Sequence, residues 1–313
     1  MDILLFSFNG VAPICLTVFM GMLLRKCNIL TLDMAKQMSK LAFAFFIPAK
    51  IFEQTYQVNL HTDINWTSLL FILLTTFLLI GALWFIVPRY IKNGAHRGEF
   101  IQGVFRGNSG VLGLPLLLNL YGESAGVAIA LALPMMVVVN NCFSPIILTH
   151  FSQNERLDAK EMAKRVLTSP FLVAAIVAVT IAGTGFKAPT FLQKTISSIG
   201  DVGSPLAMLA LGAMTEVSHF KRSGKMAFAA TCLRLFVIPS IVLPLAVLFG
   251  VRGMYMSAVI CFFCTPTAVA SHVMAKNITG DGELAGQILL QTTLLSFLTM
   301  FITIAILTSL GYM

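Results

Sequence analysis

Two short runs, far apart in the chain, hold the residues with the most chemical potential. The first reads Arg106-Gly107-Asn108-Ser109-Gly110-Val111-Leu112-Gly113-Leu114-Pro115. The second reads Cys264-Thr265-Pro266-Thr267 and continues to Ser271 and His272. Each run sits inside an otherwise apolar stretch. Glycine weakens a helix and proline removes a backbone hydrogen bond. Each run therefore predicts a helix broken midway, at Gly113 and Pro115 in the first and at Pro266 in the second. The free N–H groups at the start of a half-helix hold anions, helped by the local dipole. Asn108, Ser109, Gly110, Thr265, Thr267 and Ser271 are thus candidate ligands for a small anion. Ordinary kinks are the plainer alternative, because Gly and Pro are frequent in membrane helices.

Isolated charges add a second set of candidates. Arg234 and Asp201 each stand alone in the middle of an apolar span. A charge at that depth costs roughly 2.5–3.5 kcal/mol on insertion scales. Arg234 is a candidate counter-ion for the anion, with Asp201 as its partner or as a coupling group. A static buried pair, or a charge solvated by a crevice, is the alternative. Asn140 and Asn141 either line the site, Asn141 being the candidate ligand, or bond between helices. His272 has the intrinsic pKa of a proton carrier, although a lone helical His is commonly structural. Lys50 and Glu53, spaced i,i+3, read as a pair snorkelling at the membrane interface. Cys261 and Cys264 form a C-x-x-C inside a helix, where buried Cys is a common small apolar residue. No nucleophile–base pair, phosphate loop or metal-ligand cluster is visible, so an enzyme has little support and no cofactor or metal is expected.

The composition dictates what carries these residues. Of 313 residues, 57% are hydrophobic and only 11% charged, against roughly a quarter charged in soluble domains. A membrane-crossing helix needs about 20 apolar residues. Apolar stretches fall at about 3–24, 34–54, 66–88, 98–121, 124–150, 167–186, 190–214, 226–250, 253–276 and 283–311, with ends good to a few residues. The first lacks a basic leader and a small-residue cleavage site, and reads as a retained span. The long polar stretch from Ser152 to Arg165 divides the chain into residues 1–151, a linker at 152–165, and residues 166–313. The expectation is an all-α integral membrane protein of ten transmembrane helices, the fourth and ninth broken.

Basic residues alternate between loops. Arg25 and Lys26; Arg89, Lys92 and Arg97; Arg156, Lys160, Lys164 and Arg165; Lys221, Arg222 and Lys225; and Lys276 follow the odd-numbered spans. The other loops carry at most Lys187 or Arg252. By the positive-inside rule both termini are outside the cytoplasm. Topology thus accounts for the net charge of +8, and no nucleic-acid partner is called for. The halves also echo each other. Pro13 and Pro48 recur as Pro170 and Pro205 at an offset of 157, and Gly122-Glu123-Ser124-Ala125-Gly126 recurs as Gly282-Glu283-Leu284-Ala285-Gly286 at an offset of 160. Five spans is an odd number, so the second copy enters from the opposite face, the inverted-repeat plan of many secondary transporters.

These motifs resemble the auxin efflux carrier family, which includes plant PIN-formed carriers and bacterial malate and malonate permeases. The resemblance runs along nearly the whole chain: Asn108 through Leu117 with Tyr121-Gly122; Ile196, Ser197, Asp201, Gly203, Ala207, Met208 and Gly212; Arg234 and Pro239; Gly250-Val251-Arg252-Gly253; Pro266; and Val273-Met274-Ala275-Lys276. It implies ten helices with the fourth and ninth crossing at their breaks, and crossover prolines at Pro115 and Pro266. It further implies a scaffold of helices 1, 2, 6 and 7, and a mobile domain made of the rest. The substrate carboxylate is then expected beside Asn108, with elevator-like alternating access and frequent dimers. The short central loop and the charges at Lys50 and Glu53 depart from the plant members, which turns attention from auxin toward bacterial-style organic acids.

The expectation is therefore a plasma-membrane secondary transporter, exporter or permease, for a small organic carboxylate, with a proton or sodium as possible coupling ion and a homodimeric state. A sodium-coupled organic anion symporter of the bile-acid-carrier type and a membrane substrate sensor are the alternatives.

Overall fold

A computed structural model describes residues 3–56, 65–152, 160, 164, 167–184, 188–215, 224–280 and 282–313. Arg156, Arg165, Lys187, Lys221, Arg222 and most of the 152–165 linker lie outside the described residues. What is described is helical apart from turns and one isolated β-bridge.

Ten helical rods can be followed among the described residues. They are α1 (Ile3–Lys26); α2 (Leu32–Leu41, Ala42–Phe46 and Ile47–Tyr56, continuous); α3 (Trp66–Tyr90); α4a (Gly94–Phe105) and α4b (Ser109–Gly113 and Leu114–Tyr121); α5 (Ala132–Ser152); α6 (Pro170–Thr184); α7 (Thr190–Met214); α8 (Lys225–Cys232, Leu233–Val237 and Ile238–Leu248, continuous); α9a (Met254–Phe263) and α9b (Val269–Thr279); and α10 (Glu283–Ser309). Six of them, α1, α3, α5, α7, α8 and α10, are each long and apolar enough to cross a bilayer. Their outward faces carry exposed large apolar residues such as Leu78, Phe85 and Leu248. A surface of this kind belongs in lipid, because a protein in water seldom leaves so much contiguous apolar area uncovered.

Three prolines inside rods share one device. Pro48, Pro115 and Pro239 each come two residues after a five-residue π turn, at Ala42–Phe46, Ser109–Gly113 and Leu233–Val237. The following amides of Ile47, Leu114 and Ile238 bond five residues back, to Ala42, Ser109 and Leu233. A proline ring strikes the carbonyl four residues before it in a regular helix. The wider turn moves that carbonyl aside, and the rod continues. This corrects the expected break at Gly113 and Pro115. Both lie within the unbroken α4b, and the chain leaves the helix earlier, at Arg106–Asn108. Pro266 does lie in the break of the second run, between α9a and α9b.

The rods pack as two bodies. In one, α7 lies against α1 and α2, and α2 against α6. In the other, α4a, α5, α9b and α10 surround one another, with α3 and α8 on the outside. The seam between them runs along α1–α10, α1–α4b, α5–α6 and α7–α4b. Backbone contact holds the first body tight. A Cβ at Gly21 would overlap the carbonyl oxygen of Leu209, and a Cβ at Gly212 would overlap that of Val18. Small residues facing each other across a helix pair let backbones approach, which is how helices associate where no water is displaced.

Gly212→Ala is accordingly expected to push α1 from α7 and to destabilise the protein by about 1–3 kcal/mol, the usual cost of overpacking. A lower thermal midpoint in detergent checks this. Gly183→Ala, where an added Cβ meets nothing, is the control and should leave the midpoint unchanged or slightly raised, because alanine favours the helix.

Candidate functional site

The two breaks meet. Residues 106–108 pair antiparallel with residues 266–268 through a β-bridge between Gly107 and Thr267. The Asn108 amide donates to the Pro266 carbonyl at 2.8 Å, and the Ala268 amide donates to the Arg106 carbonyl at 3.2 Å. Moving each residue by 160 turns Arg106 into Pro266, Gly107 into Thr267 and Asn108 into Ala268. Swapping the copies therefore exchanges these two hydrogen bonds, while Gly107 and Thr267 exchange with each other. The same offset relates the two Gly-Glu runs.

Each broken helix leaves carbonyls without partners at the end of its first half and N–H groups without partners at the start of its second. The carbonyl ends are filled from several sides. At the end of α4a, the Gln102 carbonyl accepts from the Arg106 amide, Gly103 accepts from the Thr267 hydroxyl, and Val104 and Phe105 accept from Arg234 Nη1 at 3.1 Å each. At the end of α9a, the Cys261 carbonyl accepts from the Thr265 hydroxyl at 2.8 Å, and the Phe262 carbonyl accepts from Arg234 Nη2 at 2.7 Å. Arg234 Nε completes the set by donating to the Thr265 carbonyl at 3.0 Å. The guanidinium is fully buried. It packs so closely on Gly107 that a Cβ there would overlap Nη2. The negative end of a helix is equivalent to about half an elementary charge, so two such ends match one guanidinium. Asp201, expected as the partner of Arg234, is elsewhere.

The N–H ends are bare by comparison. Neither Asn108 before α4b nor Ala268 before α9b makes a side-chain cap. Asn108 Nδ2 and Ser271 Oγ are buried with no hydrogen-bond partner among the described residues. A Cβ added at Gly110 would meet nothing within 4 Å, so open space lies beside the first turn of α4b. Ser109 is buried at that turn. Asn108, Ser109, Gly110, Thr265, Pro266, Thr267 and Arg234 are thus together at the crossing, and Ser271 lies in the first turn of α9b. Asn141 joins from α5, where its Oδ1 accepts from Arg106 Nη2 at 3.2 Å.

Asp201 and His272 are not at the crossing. Asp201 pairs at 2.8 Å with Lys50, whose ammonium also reaches Glu123 at 2.8 Å and Glu53 at 3.0 Å. Lys50 is therefore buried, at 3% exposure, and does not snorkel at an interface. Three carboxylates converging on three ammonium donors make burial tolerable. Glu123, just beyond α4b, belongs to the other body, so this cluster ties the two bodies together. His272 Nδ1 lies 3.0 Å from the Gly282 carbonyl oxygen, at the joint between α9b and α10. The fully buried Glu99, which sequence reasoning missed, accepts from the Thr279 hydroxyl at 2.9 Å, the Gly282 amide at 3.3 Å and the Ala285 amide at 3.0 Å. It caps the start of α10, where negative charge is favoured. Arg106 was also missed as a functional candidate.

Removing the Arg234 fork should leave four carbonyls bare. Arg234→Met is expected to lower the melting midpoint sharply, since each unsatisfied buried polar group costs about 1–3 kcal/mol. Arg234→Lys should recover little of that stability, because one ammonium cannot span both helix ends. A Lys variant that melts like the parent would contradict this account of the crossing.

Comparisons with known proteins point to membrane transporters. A family model described as "Membrane transport protein" matches residues 6–304. An uncharacterized transporter of Methanocaldococcus jannaschii is 22% identical over 91% of this chain and 94% of its own length. The uncharacterized transporter YfdV of Escherichia coli K12 is 22% identical, with the same coverage. A putative malonate transporter of Rhizobium meliloti is 24% identical over 70% of this chain and 71% of its own length. With a crossing of two broken helices inside a membrane-type helical body, and a family match along almost its whole length, the chain belongs to the membrane transport protein family of auxin efflux carriers.

Proposed function

We propose that the protein is a secondary transporter for a small organic carboxylate, which it binds where the two broken helices cross. One combination carries this reading: two uncapped half-helix starts, a buried Asn108 Nδ2 with no partner among the described residues, and open space beside Gly110. Convergent N–H groups and a positive dipole end select an anion, and an amide donor suits a carboxylate oxygen. Ser109, Gly110, Ser271 and Asn141 line the same site, and Thr265, Thr267 and Arg234 hold its frame. The relative named a putative malonate transporter is consistent with an organic acid as cargo.

The ten rods are then ten membrane passes in two five-rod copies of opposite orientation. The half-turn relation in the backbone pairing supports this arrangement, and the separate packing of α1, α2, α6 and α7 supports their role as a scaffold. The second body carries the site past that scaffold, giving alternating access by an elevator-like motion. The Lys50 cluster sits across the moving seam. The positive-inside pattern puts both termini outside the cytoplasm, in the plasma membrane, and the carrier works as a homodimer with proton or sodium as coupling ion.

Uptake of labelled mono- and dicarboxylates into proteoliposomes at controlled membrane potential tests the reading. Saturable uptake that unlabelled acid competes and potential modulates is expected for at least one acid. Asn108→Ala should reduce it at least tenfold in protein that melts like the parent. If folded protein takes up none of the acids, or if Asn108→Ala transports normally, the site is elsewhere.

A further inference from the structure

Two buried arginines lie near the crossing, and their surroundings differ in kind. Arg234 donates to four carbonyls that belong to helix ends or the break, so its charge is matched within the fold. Arg106 is 6% exposed. Its Nη1 donates to Ser144 Oγ at 3.1 Å and faces Met274 Sδ at 3.7 Å, and its Nη2 donates to Asn141 Oδ1 at 3.2 Å. All three partners are neutral. No carboxylate lies within 4 Å of it among the described residues. A guanidinium has five N–H donors, so Arg106 retains unused ones. Removing a charge from water without an opposite charge is among the most costly events in folding.

We propose that Arg106 is the cation that the transported acid neutralises, and that Arg234 is a structural residue. The inference rests on the carboxylate-carrier reading above. Arg106 stands two residues before Asn108, and Ser271 and Met274 share one face of α9b at i,i+3 spacing. The guanidinium thus lies between α5 and α9b. Close along the chain to it and to its contact Met274 are Asn108 Nδ2 and Ser271 Oγ, which have no hydrogen-bond partner among the described residues, and the open space beside Gly110. A carboxylate on the guanidinium forms the charge-assisted, paired hydrogen bonds that neutral Asn141 and Ser144 cannot supply. Those two side chains orient the fork. The half-helix start at Asn108 takes the carboxylate that a monoester also has, and the guanidinium takes the second. Arg106 thus sets the preference for doubly over singly charged acids, and a neutral residue in its place removes that preference.

Two measurements on the full-length protein in detergent test this. The first needs no ligand. Arg106→Met is expected to melt at or above the parent midpoint, because an unmatched buried charge is replaced by an apolar chain of similar length. A clearly lower midpoint would show that Arg106 is structural and overturn the proposal. The second compares binding of malonate and succinate with that of their monomethyl esters. The parent should favour the diacids at least tenfold. Arg106→Gln should abolish that preference with ester affinity nearly unchanged, and Arg106→Lys should keep part of it. Equal weakening of diacid and ester in Arg106→Gln, or an intact preference, would also overturn the proposal. If the parent binds none of the four compounds, the carboxylate reading itself fails, and the ligand-free melting comparison still decides whether Arg106 is structural.

Discussion

Everything near the centre of this protein depends on a single buried guanidinium. Two helices that stop midway expose carbonyl ends in a region where water cannot satisfy them. Arg234 fills three of those carbonyls and one more in the adjoining break. It thereby joins α8 to both broken helices and fixes the distance between them. It sits in a π turn just ahead of Pro239, within a rod that continues to Leu248. The threonines of the second break extend the same function, with Thr265 and Thr267 each closing one more carbonyl. Once the carbonyl ends are closed, the N–H ends are the groups left to meet a guest.

That division assigns opposite electrical characters to neighbouring parts of one crossing. The first halves of α4 and α9 present their negative ends to Arg234 and are neutralised there. The second half of α4 presents its positive end to open space beside Gly110, and that of α9 starts without a side-chain cap. Arg106 adds a full positive charge nearby, with no acid within 4 Å among the described residues. The fold thus concentrates unmatched positive potential at one spot and keeps the nearest large acidic cluster, around Lys50, on a different seam. Glu99 performs the converse task at the start of α10, where a carboxylate meets N–H groups.

Much of this was legible in the sequence because it depends on periodic or punctuating features. Span lengths, the basic loops, the offsets between halves and the Gly-, Asn- and Pro-rich runs are all local. They pointed to two broken helices, the second at Pro266, while the crossing of the two was implied by the family resemblance. The position of the first break was misread because Pro115 is tolerated through a π turn, and a π turn leaves no composition of its own. Lys50 was misread because its partners Glu123 and Asp201 are 73 and 151 residues away, so only the i,i+3 neighbour Glu53 was visible. Arg106 was passed over because it bounds the motif and looks like a helix-end residue. Its significance depends on what is missing around it in space, and no spacing rule expresses that.

The seam of the crossing is made of main chain. Asn108 and Ala268 use their amides, and Pro266 and Arg106 their carbonyls, so none of the four commits its side chain to holding the two strands together. Substitution at these positions can change charge, size and polarity at the centre of the protein while the strands stay joined. A lineage built on this plan can therefore vary the chemistry at its centre by few mutations, with its architecture inherited intact.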